Sequence, residues 1–178
     1  MRKQFDAIAG SWDELRSPEH LAPYEAALAA VDPAPARALD LGTGTGAGAF
    51  AIALRFPRTE VVGVDLAGAM LAQARRKTPP ELAERVRFEN GDASALPFAD
   101  GSFELVAHAN MIPFFDEFSR VLAPGGQAMF AFSFGPETPI YVTPERLKEE
   151  LGRRGFAEFA EFAAGQGTAL LARKEIGA

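Results

Sequence analysis

Residues 39–47 read LDLGTGTGA, an apolar stretch followed by glycines that alternate with threonine. The flanking residues predict a strand over RALDL (37–41) and a helix over AGAFAIALRF (47–56), which Pro57 ends. Glycines between a strand and a helix let the backbone turn tightly and let a ligand approach main-chain N–H groups. The stretch therefore predicts a cradle for a nucleotide-bearing cofactor.

Short apolar strands alternate with helical patterns along the rest of the chain. We expect further strands at 60–66, 85–92, 103–110, 126–134 and 168–174, and helices at 67–77, 114–122 and 143–155. In the last of these helices, Thr143 is the expected N-cap and Pro144 the first residue. The stretch FAEFAEF (156–162) does not fit a strand with one buried face, and we expect its phenylalanines to join the core.

This alternation predicts an α/β fold of the Rossmann-like, doubly wound type. Such a fold has a mostly parallel sheet with helices on both faces and right-handed connections. Its ligands bind outside the carboxyl ends of the strands. We therefore expect the residues that follow the strands to form the functional site.

The composition narrows the possible classes of function. The chain has 178 residues, of which 48% are hydrophobic, a formal net charge of −6 and no cysteine. The length predicts one domain, and the acidic balance disfavours nucleic acid as a partner. The absence of cysteine excludes a thiolate nucleophile and a cysteine-bound metal, and we expect no metal site. We see neither a signal peptide nor an apolar run of about 20 residues, so we expect a cytoplasmic protein without membrane contact.

Two acidic residues bear on the choice of cofactor. Asp65 ends the second predicted strand, close to the distance of roughly 20 residues after Gly44 at which a carboxylate reaches ribose hydroxyls. Asp40 precedes the glycines, where it would repel a pyrophosphate and attract a cationic ammonium or sulfonium group. The stretch GTGAGA (44–49) also fits the G-x-G-x-x-A form of dinucleotide sites, so an NAD(P)-dependent oxidoreductase is the alternative.

Four motifs resemble those of class I S-adenosylmethionine-dependent methyltransferases, of the type 11-like group that acts on small molecules. In chain order they are ALDLGTGTGAG, VVGVDLAGAML, GDASALPFADGSFELV and RVLAPGG. The resemblance implies a seven-stranded sheet with an antiparallel last strand, and S-adenosyl-L-methionine as the cofactor. It also implies a single domain (1–178), with an N-terminal helical cap region (1–36), a cofactor-binding core (37–134) and a C-terminal helix with strands (135–178).

The resemblance further implies a set of residues around the cofactor: Asp40, Gly42, Thr43, Gly44, Gly46, Asp65, Leu66, Met70, Asp92 and Ala93. The glycines would pack against the methionine part, whose amino group Asp40 would orient. Asp65 would bind the ribose hydroxyls, with Leu66 beside the adenine. Asp92 would accept a hydrogen bond from the adenine amine, and Ala93 would offer its backbone N–H. From the residues alone, Asp92 can also be an Asx-turn residue.

Methyl transfer is an in-line displacement, which chiefly requires that the acceptor be positioned and water excluded. A general base is needed only when the acceptor atom carries a proton. We expect His108 to be the catalytic or substrate-contacting residue, because it ends the fourth predicted strand and imidazole titrates near neutrality. The alternative is a histidine held by a hydrogen bond beneath the loop. His20 is a weaker candidate in an N-terminal region with Trp12 and Tyr24, whose rings could cover the cofactor or contact its cation, or could simply pack.

The stretch NMIPFF (110–115) follows the same strand as His108. Base-modifying amino-methyltransferases carry an Asn or Asp, a Pro-containing pair and an aromatic residue there, but here Asn110 and Pro113 are one residue further apart. We therefore interpret Phe114 and Phe115 as the apolar start of a helix, and we expect a small-molecule acceptor.

Two connections are shorter than in many small-molecule methyltransferases, one between His108 and Arg120 and one between Phe134 and Thr143. Short connections predict an open substrate site, which a second subunit of a homodimer could complete. They also leave a further alternative, a non-catalytic protein that binds S-adenosylmethionine or acts as a scaffold.

Overall fold

The computed structural model describes residues 19–177, so Trp12 and the first half of the expected cap region lie outside the described residues. Its strands are β1 Arg37–Leu41, β2 Glu60–Asp65, β3 Val86–Asn90, β4 Phe103–Ala109, β5 Leu122–Phe132, β6 Phe156–Ala164 and β7 Gly167–Lys174. They form a sheet in the order β3-β2-β1-β4-β5-β7-β6. Strands β1 to β5 are parallel, and β7 is antiparallel to β5 and β6. The predicted Rossmann-like fold with an antiparallel last strand is confirmed.

Helices cover both faces of the sheet. They are α1 Ala22–Ala29, α2 Ala47–Arg55, α3 Gly68–Lys77, α4 Phe115–Val121 and α5 Pro144–Gly152, with short 3₁₀ turns at Pro80–Leu82 and Gly135–Glu137. The first three pack on one face through residues such as Ile52 and Leu71. The last two pack on the other face through Phe118 and Leu147. The helices thus lie on the two faces of the sheet, and the carboxyl edge of the parallel strands lies between these two layers.

Helix α5 begins as the sequence predicts. The hydroxyl oxygen of Thr143 accepts a hydrogen bond from the backbone N–H of Arg146 at 3.3 Å, and Pro144 occupies the first turn. The chain turns after the helix at Gly155, whose φ is +75°. Glycine adopts this angle without the steric cost that other residues carry.

Residues 156–162 lie in β6, and their phenylalanines pack against the core on both faces of the sheet, in agreement with the expectation that this stretch is not a strand with one buried face. The pairing with β7 is irregular between Ala157 and Ala160, and Glu158 has a φ of +54°. This bulge resets the alternation of faces. Phe156 and Phe159 therefore pack on the same face, whereas Phe162 packs on the opposite one. A spacing of three residues cannot do this in a regular strand.

Candidate functional site

The glycine turn lies between β1 and α2. Gly42, Gly44 and Gly46 have φ angles of 64°, 55° and 92°. A Cβ on Gly46 would lie 2.8 Å from the ring of Phe88, so this glycine is required for packing between α2 and β3. Gly42 is exposed, and a Cβ there would approach the sulfur of Met111 at 3.0 Å. The turn is thus closely packed beneath and open at its first glycine.

Asp65 joins the ends of two strands. Its Oδ2 accepts a hydrogen bond from the backbone N–H of Gly44 at 2.9 Å, and its Oδ1 accepts one from Ala67 at 2.8 Å. The side-chain amide of Asn90 donates to the carbonyl oxygens of Asp65 and Leu66, both at 3.0 Å. A carboxylate oxygen can accept more than one hydrogen bond, so both oxygens retain capacity for hydroxyl donors. The carboxylate is fixed at the edge where a sugar is expected.

Asp40 is buried beneath the turn. Its carboxylate accepts hydrogen bonds from the hydroxyls of Tyr24 at 2.9 Å and Thr43 at 2.6 Å, and from the backbone N–H of Ala49. Burial raises the pKa of Asp40 to about 6, although these hydrogen bonds oppose the shift. A Cβ on Gly48 would lie 2.7 Å from Oδ1. Asp40 thus connects α1 to the glycine turn from within the protein.

Asp92 lies in the exposed segment after β3. Its Oδ1 accepts hydrogen bonds from the hydroxyl of Ser94 at 2.6 Å and the backbone N–H of Ser94 at 2.8 Å. These bonds hold the pKa of Asp92 below its usual value, so the side chain is an anion at neutral pH. The Asx-turn alternative is therefore present in the structure. It fixes an ionised carboxylate in place and is compatible with a contact to a ligand amine.

The other expected cofactor residues have different surroundings. Leu66 exposes 46% of its surface beside Asp65. Met70 and Ala93 are buried, and Thr43 is buried against Asp40. The structure therefore brings the glycine turn, Asp65, Leu66 and Asp92 to the same edge of the sheet, with the other residues packed behind them.

The expectation that His108 lies on the ligand rim is wrong. The side chain is fully buried in β4, with its ring 5.0 Å from that of Phe130 and 5.4 Å from that of Phe118, centroid to centroid. Neither ring nitrogen has a hydrogen-bond partner among the described residues. Burial lowers the pKa of His108 to about 3, so the imidazole is neutral.

Asn110 and Ser133 join the ends of β4 and β5. The amide nitrogen of Asn110 donates to the Ser133 hydroxyl at 2.7 Å, and the Ser133 backbone N–H donates back to Oδ1 at 2.8 Å. The hydroxyl of Ser133 donates to the carbonyl oxygen of His20 at 2.6 Å. The Asn110 amide, which a base-modifying enzyme would present to its target amine, is therefore engaged within the protein. His20 rather than His108 lies near this edge.

Three exposed apolar side chains follow β4 and β5, a group that sequence reasoning missed. Ile112, Phe114 and Phe134 expose 48%, 36% and 44% of their surface. We call these three residues the apolar rim. The segments 110–115 and 133–136 that carry them contain no ionisable side chain. The hydrogen bonds between Asn110 and Ser133 join the starts of the two segments, and exposed apolar groups on neighbouring segments mark binding surfaces more often than isolated ones do. The available signal was the run of apolar residues directly after two strand ends.

Other features of residues 19–177 do not point to a second site of this kind. A cavity of about 530 Å³ lies at the opposite edge of the sheet, between the loops around Val31 and Arg58. No group of three or more His, Asp or Glu side chains within the described range could hold a metal ion. No helix within it is long and apolar enough to cross a bilayer.

Residues 38–126, half of the chain, match a family described as methyltransferase domain. A demethylmenaquinone methyltransferase of Thermus thermophilus is 48% identical over 80 residues, which are 41% of this chain and 36% of that protein. A malonyl-[acyl-carrier protein] O-methyltransferase of Halorhodospira halophila is 43% identical over 91 residues, which are 47% of this chain and 30% of that protein. The match thus spans about a third of each relative's length.

The fold is similar to that of human N-acetylserotonin methyltransferase, whose crystal structure contains SAM. The TM-score is 0.75 at 19% sequence identity, over 98% of this chain and 57% of that chain. At this level of identity the likeness concerns the fold.

Proposed function

Because the chain belongs to the methyltransferase domain family, in its class I S-adenosylmethionine-dependent form, we propose that it transfers a methyl group from S-adenosylmethionine to an uncharged, apolar small molecule. The observation that carries this proposal is the hydrogen bond from the Gly44 N–H to Asp65 at 2.9 Å. It holds a carboxylate directly beside the glycine turn, as binding of a ribose next to a methionine tail requires.

The residues at this edge fit the cofactor. Gly42 is exposed, and Asp65 can accept further hydrogen bonds from two ribose hydroxyls. Leu66 offers an exposed apolar surface for a planar base, and the ionised Asp92 can accept a hydrogen bond from the adenine amine. A pyrophosphate at the glycine turn would instead meet repulsion from the Asp40 carboxylate beneath the turn, which disfavours a dinucleotide.

The chemistry of the site follows from positioning. When bound, S-adenosylmethionine supplies an electrophilic methyl group on a sulfonium, which the acceptor displaces in line. Asp65 and Asp92 would fix the nucleoside part, and Met111, whose sulfur lies close to Gly42, would border the methionine part. The apolar rim would hold the acceptor and exclude water around it. The buried, neutral His108 supports the packing of β4 and has no part in this arrangement.

The acceptor class rests on the apolar rim. The two relatives act, by their names, on demethylmenaquinone and on malonyl-[acyl-carrier protein]. An apolar quinone suits a surface formed by Ile112, Phe114 and Phe134, whereas the malonyl carboxylate would need a cation that segments 110–115 and 133–136 do not contain. These contacts favour an acceptor of the first kind.

An assay with labelled cofactor tests the proposal. The protein is incubated with S-[methyl-³H]adenosylmethionine and either a short-chain, reduced demethylmenaquinone or malonyl-[acyl-carrier protein], with Asp65→Ala as the negative control. We expect label in the quinone product alone. Label in the malonyl product alone would contradict the acceptor class, and cofactor binding without label in a broad acceptor panel would favour the non-catalytic alternative. Sedimentation of the same sample tests whether a homodimer forms.

A further inference from the structure

Arg120 of α4 binds the segment that follows β3. Its Nη1 donates to the carbonyl oxygen of Phe98 at 2.6 Å and to Asp100 at 3.0 Å, and its Nη2 donates to the carbonyl oxygen of Leu96 at 2.9 Å. In return, the backbone N–H of Gly101 donates to the carbonyl oxygen of Arg120 at 2.9 Å. The Arg120 side chain thus binds three residues of the segment 96–100, and its backbone carbonyl binds Gly101.

Glu117, one helical turn before Arg120, completes this arrangement. Its carboxylate accepts from Nε of Arg120 at 2.7 Å and from Nη2 at 2.9 Å, which is a two-pronged ion pair. The same carboxylate accepts from the backbone N–H of Leu96 at 2.6 Å. Leu96 is therefore held through both its N–H and its carbonyl oxygen, and its side chain is buried. A planar guanidinium can make such a set of bonds, and a lysine ammonium cannot.

The segment held in this way begins with Asp92. At its start, the backbone N–H of Gly91 donates to the carbonyl oxygen of Asp65 at 3.1 Å, and the N–H of Ala95 donates to the carbonyl oxygen of Asp92 at 3.0 Å. The turn at Asp92 thus lies between a fixed end at β3 and a fixed end at Leu96. Loss of the second fixed end would let the Asp92 carboxylate move while β3 stays in place.

We propose that Arg120, oriented by Glu117, is a positioning residue for the adenine side of the cofactor site. It acts through Leu96 and Asp92 and does not touch the cofactor. This inference rests on the proposed function, since it assigns Asp92 to the adenine amine. It adds a residue of α4, on a different part of the chain, to the determinants of base recognition.

Arg85 provides a matched control. Its guanidinium also binds backbone carbonyl oxygens, those of Phe56 at 3.3 Å, Thr59 at 3.0 Å and Ala53 at 3.2 Å. These contacts lie at the amino edge of the sheet, away from the glycine turn. Substitution of Arg85 therefore removes a similar set of structural bonds without affecting the Asp92 segment.

The experiment compares wild type with Arg120→Met, Arg120→Lys, Glu117→Gln and Arg85→Met. Calorimetry gives the dissociation constants of S-adenosylhomocysteine and S-inosylhomocysteine, which presents a carbonyl in place of the adenine amine. We expect wild type to prefer the adenosyl ligand. We expect Arg120→Met to weaken adenosyl binding by about tenfold and to reduce the preference, because a displaced carboxylate no longer distinguishes the two bases.

The remaining variants and a ligand-free measurement separate positioning from a general loss of structure. Arg120→Lys and Glu117→Gln should also reduce the preference for the adenosyl ligand. Arg85→Met should lower the free energy of unfolding about as much as Arg120→Met does, but it should leave this preference unchanged. Amide hydrogen exchange of residues 93–96 should be faster in Arg120→Met than in Arg85→Met. If Arg120→Met does not fold, the two milder variants decide the question.

Two outcomes would overturn the inference, and they differ in what they mean for the proposed function. An unchanged preference in all Arg120 and Glu117 variants, with tight binding by wild type, contradicts the inference and leaves the proposed function standing. A wild-type protein that binds neither ligand contradicts the proposed function, and the inference falls with it.

Discussion

The carboxylate of Asp65 accepts a hydrogen bond from the backbone N–H of Gly44, with 2.9 Å between Oδ2 and the nitrogen. This contact joins the carboxyl end of β2 to the glycine turn after β1, which are neighbouring strands. It orients an anionic side chain toward the same edge to which the turn opens at Gly42. The two features that the sequence places some 20 residues apart thus form one site.

Replacement of this carboxylate should weaken cofactor binding. Asp65→Ala removes both the hydrogen bond to Gly44 and the expected acceptor for ribose hydroxyls. We expect the dissociation constant of S-adenosylhomocysteine to rise by about 10- to 100-fold, or about 1.4–2.8 kcal/mol. Glu60→Ala is the control, because Glu60 is an exposed carboxylate at the other end of β2. Equal affinities for the two variants, measured by calorimetry, would exclude the ribose assignment.

Two glycines should differ in their tolerance of alanine. A Cβ on Gly63 in β2 would lie 2.6 Å from the ring of Phe88, whereas a Cβ on Gly68 in α3 would meet no atom within 4 Å. We expect Gly63→Ala to lower the free energy of unfolding by about 1–3 kcal/mol, and Gly68→Ala to leave it unchanged or to raise it by up to about 1 kcal/mol. Urea unfolding measures both. A loss of stability in Gly68→Ala that equals the loss in Gly63→Ala would contradict the packing described around Phe88.

The burial of His108 should be visible in the pH dependence of stability. Burial lowers its pKa from 6.5 to about 3, so below pH 6.5 the unfolded chain binds a proton that the folded protein does not. Above pH 6.5 this group does not reduce the free energy of unfolding, and it reduces that free energy increasingly as the pH falls from 6.5 toward 3. His108→Phe removes this pH-dependent loss of stability and keeps an aromatic ring in the cluster.

The measurement is the free energy of unfolding of wild type and His108→Phe at several pH values. The difference in favour of the variant should grow below pH 6.5 by about 1.4 kcal/mol per pH unit. The comparison cancels the opposite trend from Asp40, whose raised pKa of about 6 lowers stability as the pH rises from 3.8 to 6. A difference that does not vary with pH would show that the imidazole of His108 takes up its proton without unfolding.

The apolar rim should govern the acceptor and not the cofactor. Phe134→Ser removes exposed apolar surface after β5, and we expect the KM for an apolar acceptor to rise by about tenfold, since burial of such a side chain contributes about 1.5–3 kcal/mol. The affinity for S-adenosylhomocysteine should stay unchanged. Leu54→Ser is the control, because Leu54 is 66% exposed on α2, outside the rim. A Phe134→Ser enzyme with an unaltered KM would remove the rim from the acceptor site.

The sequence predicts well what local chemistry determines. The strand over 37–41, the glycine turn and the acid at Asp65 depend on neighbours in the chain, and the structure has them where the sequence places them. The family resemblance is confirmed by the match over residues 38–126, and the fold that it implied is confirmed by the order and direction of the strands. The roles of individual cofactor residues stay predictions.

The remaining features depend on contacts between distant parts of the chain. Helices cover both faces of β4, so its side chains are buried whichever face they lie on. The sequence around His108 does not show that the rings of Phe118 and Phe130 pack against it. Asp40 in β1 accepts a hydrogen bond from the hydroxyl of Tyr24 in α1. The bulge in β6 depends on its pairing with β7. It interrupts the alternation of inward and outward side chains by which a strand is identified in the sequence. In the sequence, Arg120 belongs to the predicted helix 114–122 and to the motif RVLAPGG. Its bonds to Leu96 and Phe98 form only when the chain is folded.

The most direct test of the central claim is calorimetry of the wild-type protein with S-adenosylmethionine, S-adenosylhomocysteine and NAD in parallel. The arrangement of Gly44, Asp65 and Asp92 predicts that the first two bind with one site per chain and that NAD does not bind. Binding of NAD together with failure to bind either S-adenosyl compound would contradict the account and favour the oxidoreductase alternative.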